Sequence, residues 1–154
     1  MIKRAANTVQ VHIATYSEEY SDYKFLILKR SQKEKIYPGI WQVITGTMND
    51  NETAIETALR ETKEEIGLEP IKIWTIPYIS QFFSVKTNII HSAPVFGMLI
   101  KENDKIKLSD EHDNYLWLHL DLALEKLVLP SHREACKIFY EYILLTELGD
   151  IFQI

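Results

Sequence analysis

A chain of 154 residues suits one domain with a sizeable core. Its 46% hydrophobic and 25% charged residues are ordinary for a soluble globular protein, and no stretch approaches the roughly 20 apolar residues of a membrane helix. A net charge of −5 makes it a poor partner for a nucleic-acid polymer, whose phosphates are held by Lys and Arg, yet leaves open a small phosphorylated substrate if cations supply the positive charge. Cys136 is the only cysteine, which excludes an internal disulfide and fits a reducing cytoplasm. The opening MIKRAANTVQVHIATYSEEY has no long apolar run of the secretory kind.

Taken in chain order, residues 6–15 alternate and are β-branched, which predicts a strand, and YKFLILKR (23–30) predicts its hairpin partner across the polar Tyr16–Asp22 connection. SQKEKIYPG is a charged loop, and WQVITG (41–46) a short strand that delivers Gly46. A helix then runs to Gly67, a C′ glycine; Asn49, Asp50 and Asn51 all suit its N-cap. IKIWTIPYIS (71–80) is a strand that Pro77 should place at an edge or bulge, with QFFSVK as its continuation, and IIHSAPVFGMLIK (89–101) is another. A polar loop leads to a strand near Tyr115–Leu118, then LDLALEKL as a short helix and residues 131–148 as a long amphipathic one. No linker or repeat divides residues 1–154, which read as a single domain: a mixed sheet sandwiched by helices, of the α/β (α+β) class.

The first helix carries the chemistry. Ala54, Ile55, Ala58, Leu59, Thr62 and Ile66 form a core-facing stripe. Glu61, Glu64 and Glu65, three and four apart, should project together from the acidic outer face. Converging carboxylates repel unless a cation sits between them, and a hard divalent ion such as Mg²⁺ prefers oxygen ligands and accepts bridging phosphates. A ladder of i,i+4 ion pairs through Glu56, Arg60 and Glu64 is the plainer account, worth a few tenths of a kcal/mol each. It leaves unexplained the glycine that leads the stretch, Glu52 eight residues before the arginine, and the closing glycine.

Together Gly46, Glu52, Arg60, Glu61, Glu64, Glu65, Gly67 and Leu68 resemble the Nudix box, G-x5-E-x7-R-E-U-x-E-E-x-G-U, where U is bulky and apolar; Thr62 is the one departure. The resemblance implies an α/β/α sandwich and a metal-dependent hydrolase that cleaves a nucleoside diphosphate linked to another group. It implies Glu64 and Glu65 as principal ligands of Mg²⁺ or Mn²⁺, and Glu61 as a further ligand or base. Arg60 would hold Glu61, Glu52 would brace Arg60, and the Gly46 carbonyl would complete part of the metal sphere.

Outside the box, Glu111 lies in an acidic loop that composition alone would leave in solvent. Yet Glu111-His112-x-x-Tyr115-x-Trp117-Leu118 resembles a segment of several Nudix subfamilies in which the glutamate reaches the metal as an extra ligand or base. His112 reads as a loop side chain, His12 and His91 as packed or edge residues, and Cys136 as a small buried hydrophobe. Tyr37, Trp41, Phe82 and Phe83 flank loops where a flat base or pterin would stack, against the plainer reading of core aromatics. Lys29 and Arg30 end a strand, either near phosphates or in solvent.

The lead-in Trp41-Gln42-Val43-Ile44-Thr45-Gly46, the later EHDNYLWLHLDLAL and Arg133 resemble bacterial dihydroneopterin triphosphate pyrophosphohydrolases. That resemblance implies a (deoxy)nucleoside or pterin triphosphate cleaved to monophosphate and pyrophosphate, with Arg30, Trp41, Gln42 and Arg133 as candidate substrate contacts. Diadenosine polyphosphate hydrolases share several elements but usually carry P-K-G-H where this chain has Ile44-Thr45-Gly46-Thr47. A nucleotide sensor without catalysis is the alternative of another class, and intact box acids argue against it. The sequence leaves room for a homodimer.

Overall fold

The computed structural model describes residues 1–154. Its strands are β1 (Lys3–Ala5), β2 (Thr8–Ser17), β3 (Asp22–Arg30), β4 (Trp41–Gln42), β5 (Ile44–Thr47), β6 (Lys72–Ser84), β7 (Ile89–Leu99) and β8 (His112–Leu118). Its helices are α1 (Ala54–Ile66), α2 (Leu120–Lys126), α3 (Pro130–Ile138), continued as a π-helical segment Phe139–Leu144, and α4 (Gly149–Phe152).

All eight strands join one mixed sheet. β2 lies at its centre, parallel to β7 and antiparallel to β3 and β5. Buried on both faces, β2 needs apolar or neutral residues throughout, which TVQVHIATYS supplies. Its odd positions Val9, Val11 and Ile13 pack under α1 with Leu26, Leu28, Ile44, Ala58, Ile66 and Met98. Ala14 faces the opposite core, where Phe25, Ile27, Trp74, Val95, Ala135, Phe139 and Ile143 meet. The sheet therefore has helices on both faces, the α/β/α sandwich expected.

Pro77 sits where the β6–β7 register shifts between Ile76 and Ile79, because it has no N–H for the ladder. β6 continues through Phe83, as QFFSVK suggests.

The structure departs from the sequence reading at several points, among them the single strand expected over 41–46, which splits into β4 paired with β3 and β5 paired with β2. The N-cap of α1 is Thr53, not an asparagine or Asp50: Thr53 and Glu56 form a reciprocal capping box, and Glu56 is thereby withdrawn from the ion-pair ladder. Leu59 is exposed and Thr57 takes the buried place assigned to it. The final long helix is α-helical only to Ile138 before its π-helical segment.

Candidate active site

Strand β5 and helix α1 build the site. β5 ends at Gly46-Thr47, and residues 48–53 turn the chain into α1, whose side facing the sheet carries Glu61 and Glu65. A Cβ on Gly46 would lie 2.2 Å from the Cγ of Glu61. Only glycine lets that glutamate lie against the strand at the Gly46 backbone.

Arg60 organises the acids around it. Its Nε and Nη2 donate to Glu52 Oε1 and Oε2 at 2.8 and 3.1 Å, a bidentate pair. Nη1 donates to Glu61 Oε1 at 2.9 Å and to Glu64 Oε2 at 3.2 Å, and Nη2 also reaches the Thr47 carbonyl at 3.0 Å. Glu52 accepts in addition from the Asn49 backbone N–H at 2.8 Å. Hydrogen bonds from Arg60 and Asn49 hold the Glu52 carboxyl below its ordinary range, and the same carboxylates push the Arg60 guanidinium pKa up.

Glu65 is held from the other direction. Its Oε2 accepts from Ser109 Oγ and from His112 Nδ1, both at 2.8 Å, and the Nε2 of His112 lies 3.0 Å from the Gln42 amide nitrogen. Burial alone would raise the Glu65 pKa, but the bonds from His112 and Ser109 outweigh it and hold the carboxyl low. His112 is thus not a loop side chain: it opens β8 and is buried against the box helix. The Glu111-His112 pair was the available signal, but no sequence rule shows that the loop folds its histidine inward and leaves the glutamate outward.

Glu61, Glu64 and Glu65 do not converge as three equal neighbours. The Glu64 side chain is 55% exposed beside Arg60, whereas that of Glu65 is 4% exposed. No three His, Cys, Asp or Glu side chains form a ready-made metal cage, because Arg60 draws on Glu61 and Glu64 while Ser109 and His112 hold Glu65.

Negative charge is nevertheless in excess. Glu111 is pushed up to about 6, first by desolvation and then by the charges of Glu65 and Glu61. Glu61 is also raised, by desolvation that Arg60 only partly offsets and by Glu64 and Glu65. Oxygen donors that repel one another beside the Gly46 backbone fit a hard divalent cation.

A cleft of about 400 Å³ opens here, lined by Thr8, Thr45, Gly46, Thr47, Asn49, Arg60, Glu61 and Glu111. The four candidate substrate contacts lie elsewhere. Arg30 is tied to the Ile36 carbonyl at 2.7 Å and to Glu34, Trp41 packs at the edge of the core under Lys126, and Arg133 is exposed on α3. Gln42 is buried behind the acids and gives its amide to His112.

The NUDIX domain family matches residues 7–137, so the chain belongs to that family. It is a pyrophosphohydrolase. A dihydroneopterin triphosphate diphosphatase of Haemophilus influenzae is 26% identical over 85% of this chain and 86% of its own length. The mouse bis(5'-nucleosyl)-tetraphosphatase [asymmetrical] is 31% identical over 68% of this chain and 70% of its own. An octanoyltransferase of Myxococcus xanthus is 26% identical over 82% of this chain, which spans only 35% of that longer protein. Among solved structures, the E. coli dihydroneopterin triphosphate pyrophosphohydrolase shares the fold with a TM-score of 0.72 at 22% identity, over 91% of this chain and 97% of that one. No helix is long and apolar enough to cross a membrane.

Proposed function

We propose that this chain hydrolyses a (deoxy)nucleoside or dihydroneopterin triphosphate to a monophosphate and pyrophosphate. The observation that carries the proposal is the polar cleft itself. Its floor is Gly46 with Glu61 laid against it, and Glu111 stands at its wall with a pKa near 6.

The Gly46 carbonyl, Glu61, Glu64, Glu65 and Glu111 are the groups that would hold Mg²⁺ or Mn²⁺, with Glu52 and Arg60 fixing the orientation of Glu61. When bound, the ion neutralises the phosphates and lowers the pKa of water. The chain's own residues do the rest. Glu111, at the wall of the cleft beside Glu61, is suited to accept a proton from the attacking water. Thr8, Thr45, Thr47 and Asn49 offer neutral donors around the phosphates.

Diadenosine polyphosphates are the second reading, supported by the 31% identity to the mouse tetraphosphatase. The cleft argues against it: Arg60 is the only cation in its lining, and that arginine is occupied by three carboxylates and the Thr47 carbonyl. A longer polyphosphate would place further negative charge where no Lys or His meets it.

A substrate panel with Mg²⁺ at slightly alkaline pH tests the proposal: dihydroneopterin triphosphate, the dNTPs, diadenosine tetraphosphate and ADP-ribose, with products resolved by chromatography. Pyrophosphate plus monophosphate from the pterin or a dNTP is expected. ATP plus AMP from diadenosine tetraphosphate as the dominant reaction would replace it with the second reading.

A further inference from the structure

The buried chain Gln42–His112–Glu65 has no place in the box pattern, and its geometry constrains a proton. Gln42 on β4 and His112 on β8 flank opposite edges of β3 and meet beneath α1. All three side chains are buried, at 5%, 6% and 3% exposure for Gln42, His112 and Glu65. The amide nitrogen of Gln42 is a donor only, so the His112 Nε2 that it meets at 3.0 Å must be an acceptor. The ring proton therefore sits on Nδ1, which donates to Glu65 Oε2 at 2.8 Å. The opposite tautomer would set the Nδ1 lone pair against a carboxylate.

Ser109 Oγ donates to that same Oε2. Both donors are thus on one oxygen, and Oε1 of Glu65 is left without one of them.

We propose that His112 is a positioning residue: with Nε2 turned to Gln42 and Nδ1–H turned to Glu65, it pins Oε2 of Glu65 so that Oε1 is presented to the cation. This rests on the reading of Glu65 as a metal ligand given above. A carboxylate on a helix has freely rotating outer torsions, and a fixed donor on one oxygen sets the direction of the other, as partners behind metal ligands generally do. Gln42 acts one step further back, by fixing which ring nitrogen carries the proton.

Two measurements test it. Nitrogen-15 NMR of the imidazoles in the metal-free protein should show His112 with a protonated Nδ1 and a bare Nε2; an Nε2–H ring would overturn the proposal without any variant. Mn²⁺ binding followed by electron paramagnetic resonance, with no substrate present, should weaken by about 10-fold or more in His112→Ala and return to within about threefold of wild type in His112→Asn, whose amide N–H replaces Nδ1–H. Wild-type Mn²⁺ affinity in a folded His112→Ala, with affinity lost in Glu65→Gln, would overturn the positioning role alone. Wild-type affinity in Glu65→Gln would instead overturn the assignment of Glu65 as a ligand.

Discussion

The two faces of the sheet bury the same kinds of polar side chain to opposite ends. Under α1, His112 and Gln42 meet an ionised carboxylate, Glu65, in an unbroken chain of hydrogen bonds. Under α3, Gln10, His12 and His132 are equally buried with no acid among them. His12 Nε2 meets the Gln10 amide at 2.8 Å, its Nδ1 has no partner, and His132 Nδ1 accepts from the Val43 backbone at 3.4 Å. A buried histidine beside a carboxylate is a donor with a task; one among neutral groups must stay neutral. Its protonation is opposed by desolvation, which holds His132 down at about 4 and His12 well below its ordinary value.

That difference predicts where acid acts first. A histidine whose folded pKa lies below its unfolded one stabilises the fold above about pH 6.5, and that contribution disappears as pH falls towards the folded value. For His132 the loss between pH 6.5 and 4 should reach about 3 kcal/mol, with His12 adding in the same direction. Urea unfolding across that range should show His132→Gln falling less steeply than wild type. Parallel curves would erase the distinction between the faces.

Arg60→Ala acts on the other face. It leaves Glu52, Glu61 and Glu64 without their shared donor, and turnover should fall by about 10- to 100-fold in a folded protein. Full activity would mean that these acids orient themselves.

Gly97→Ala sharpens the comparison from the α3 side. A Cβ there would lie 2.5 Å from the Phe139 ring, so unfolding free energy should drop by about 1–3 kcal/mol while turnover per folded molecule stays unchanged. Lost turnover at intact stability would show that the α3 face also shapes the cleft.

Much of this molecule is legible in its sequence, and the parts that are not share a physical reason. The box helix, its Gly67 terminus in the left-handed region at φ 73°, and the bulge at Pro77 follow from local rules of backbone conformation. The Thr53–Glu56 capping box was also written in the sequence, four residues that compete with three plausible caps just before them. By contrast β1 exists only because Lys3–Ala5 pairs with Ile89–His91, a contact across 86 residues that no window can see. The same holds for the site. Spacing along α1 brings Glu61, Glu64 and Glu65 to one region, but which of them faces solvent depends on the arginine between them and on a serine and a histidine more than 40 residues away. Gln42 illustrates the limit: its place before Gly46 suggests a substrate contact, and the pairing of β4 with β3 turns it behind the acids.

We propose that chemistry resides on the α1 face, through a cation held by the box carboxylates. Pyrophosphate release from dihydroneopterin triphosphate or a dNTP, with Mg²⁺ and with a chelator, by wild type and by Glu65→Gln, tests it most directly. Turnover should require Mg²⁺ and fall by at least about 10²-fold in the folded variant. Turnover that survives the chelator, or that Glu65→Gln leaves unchanged, would contradict it.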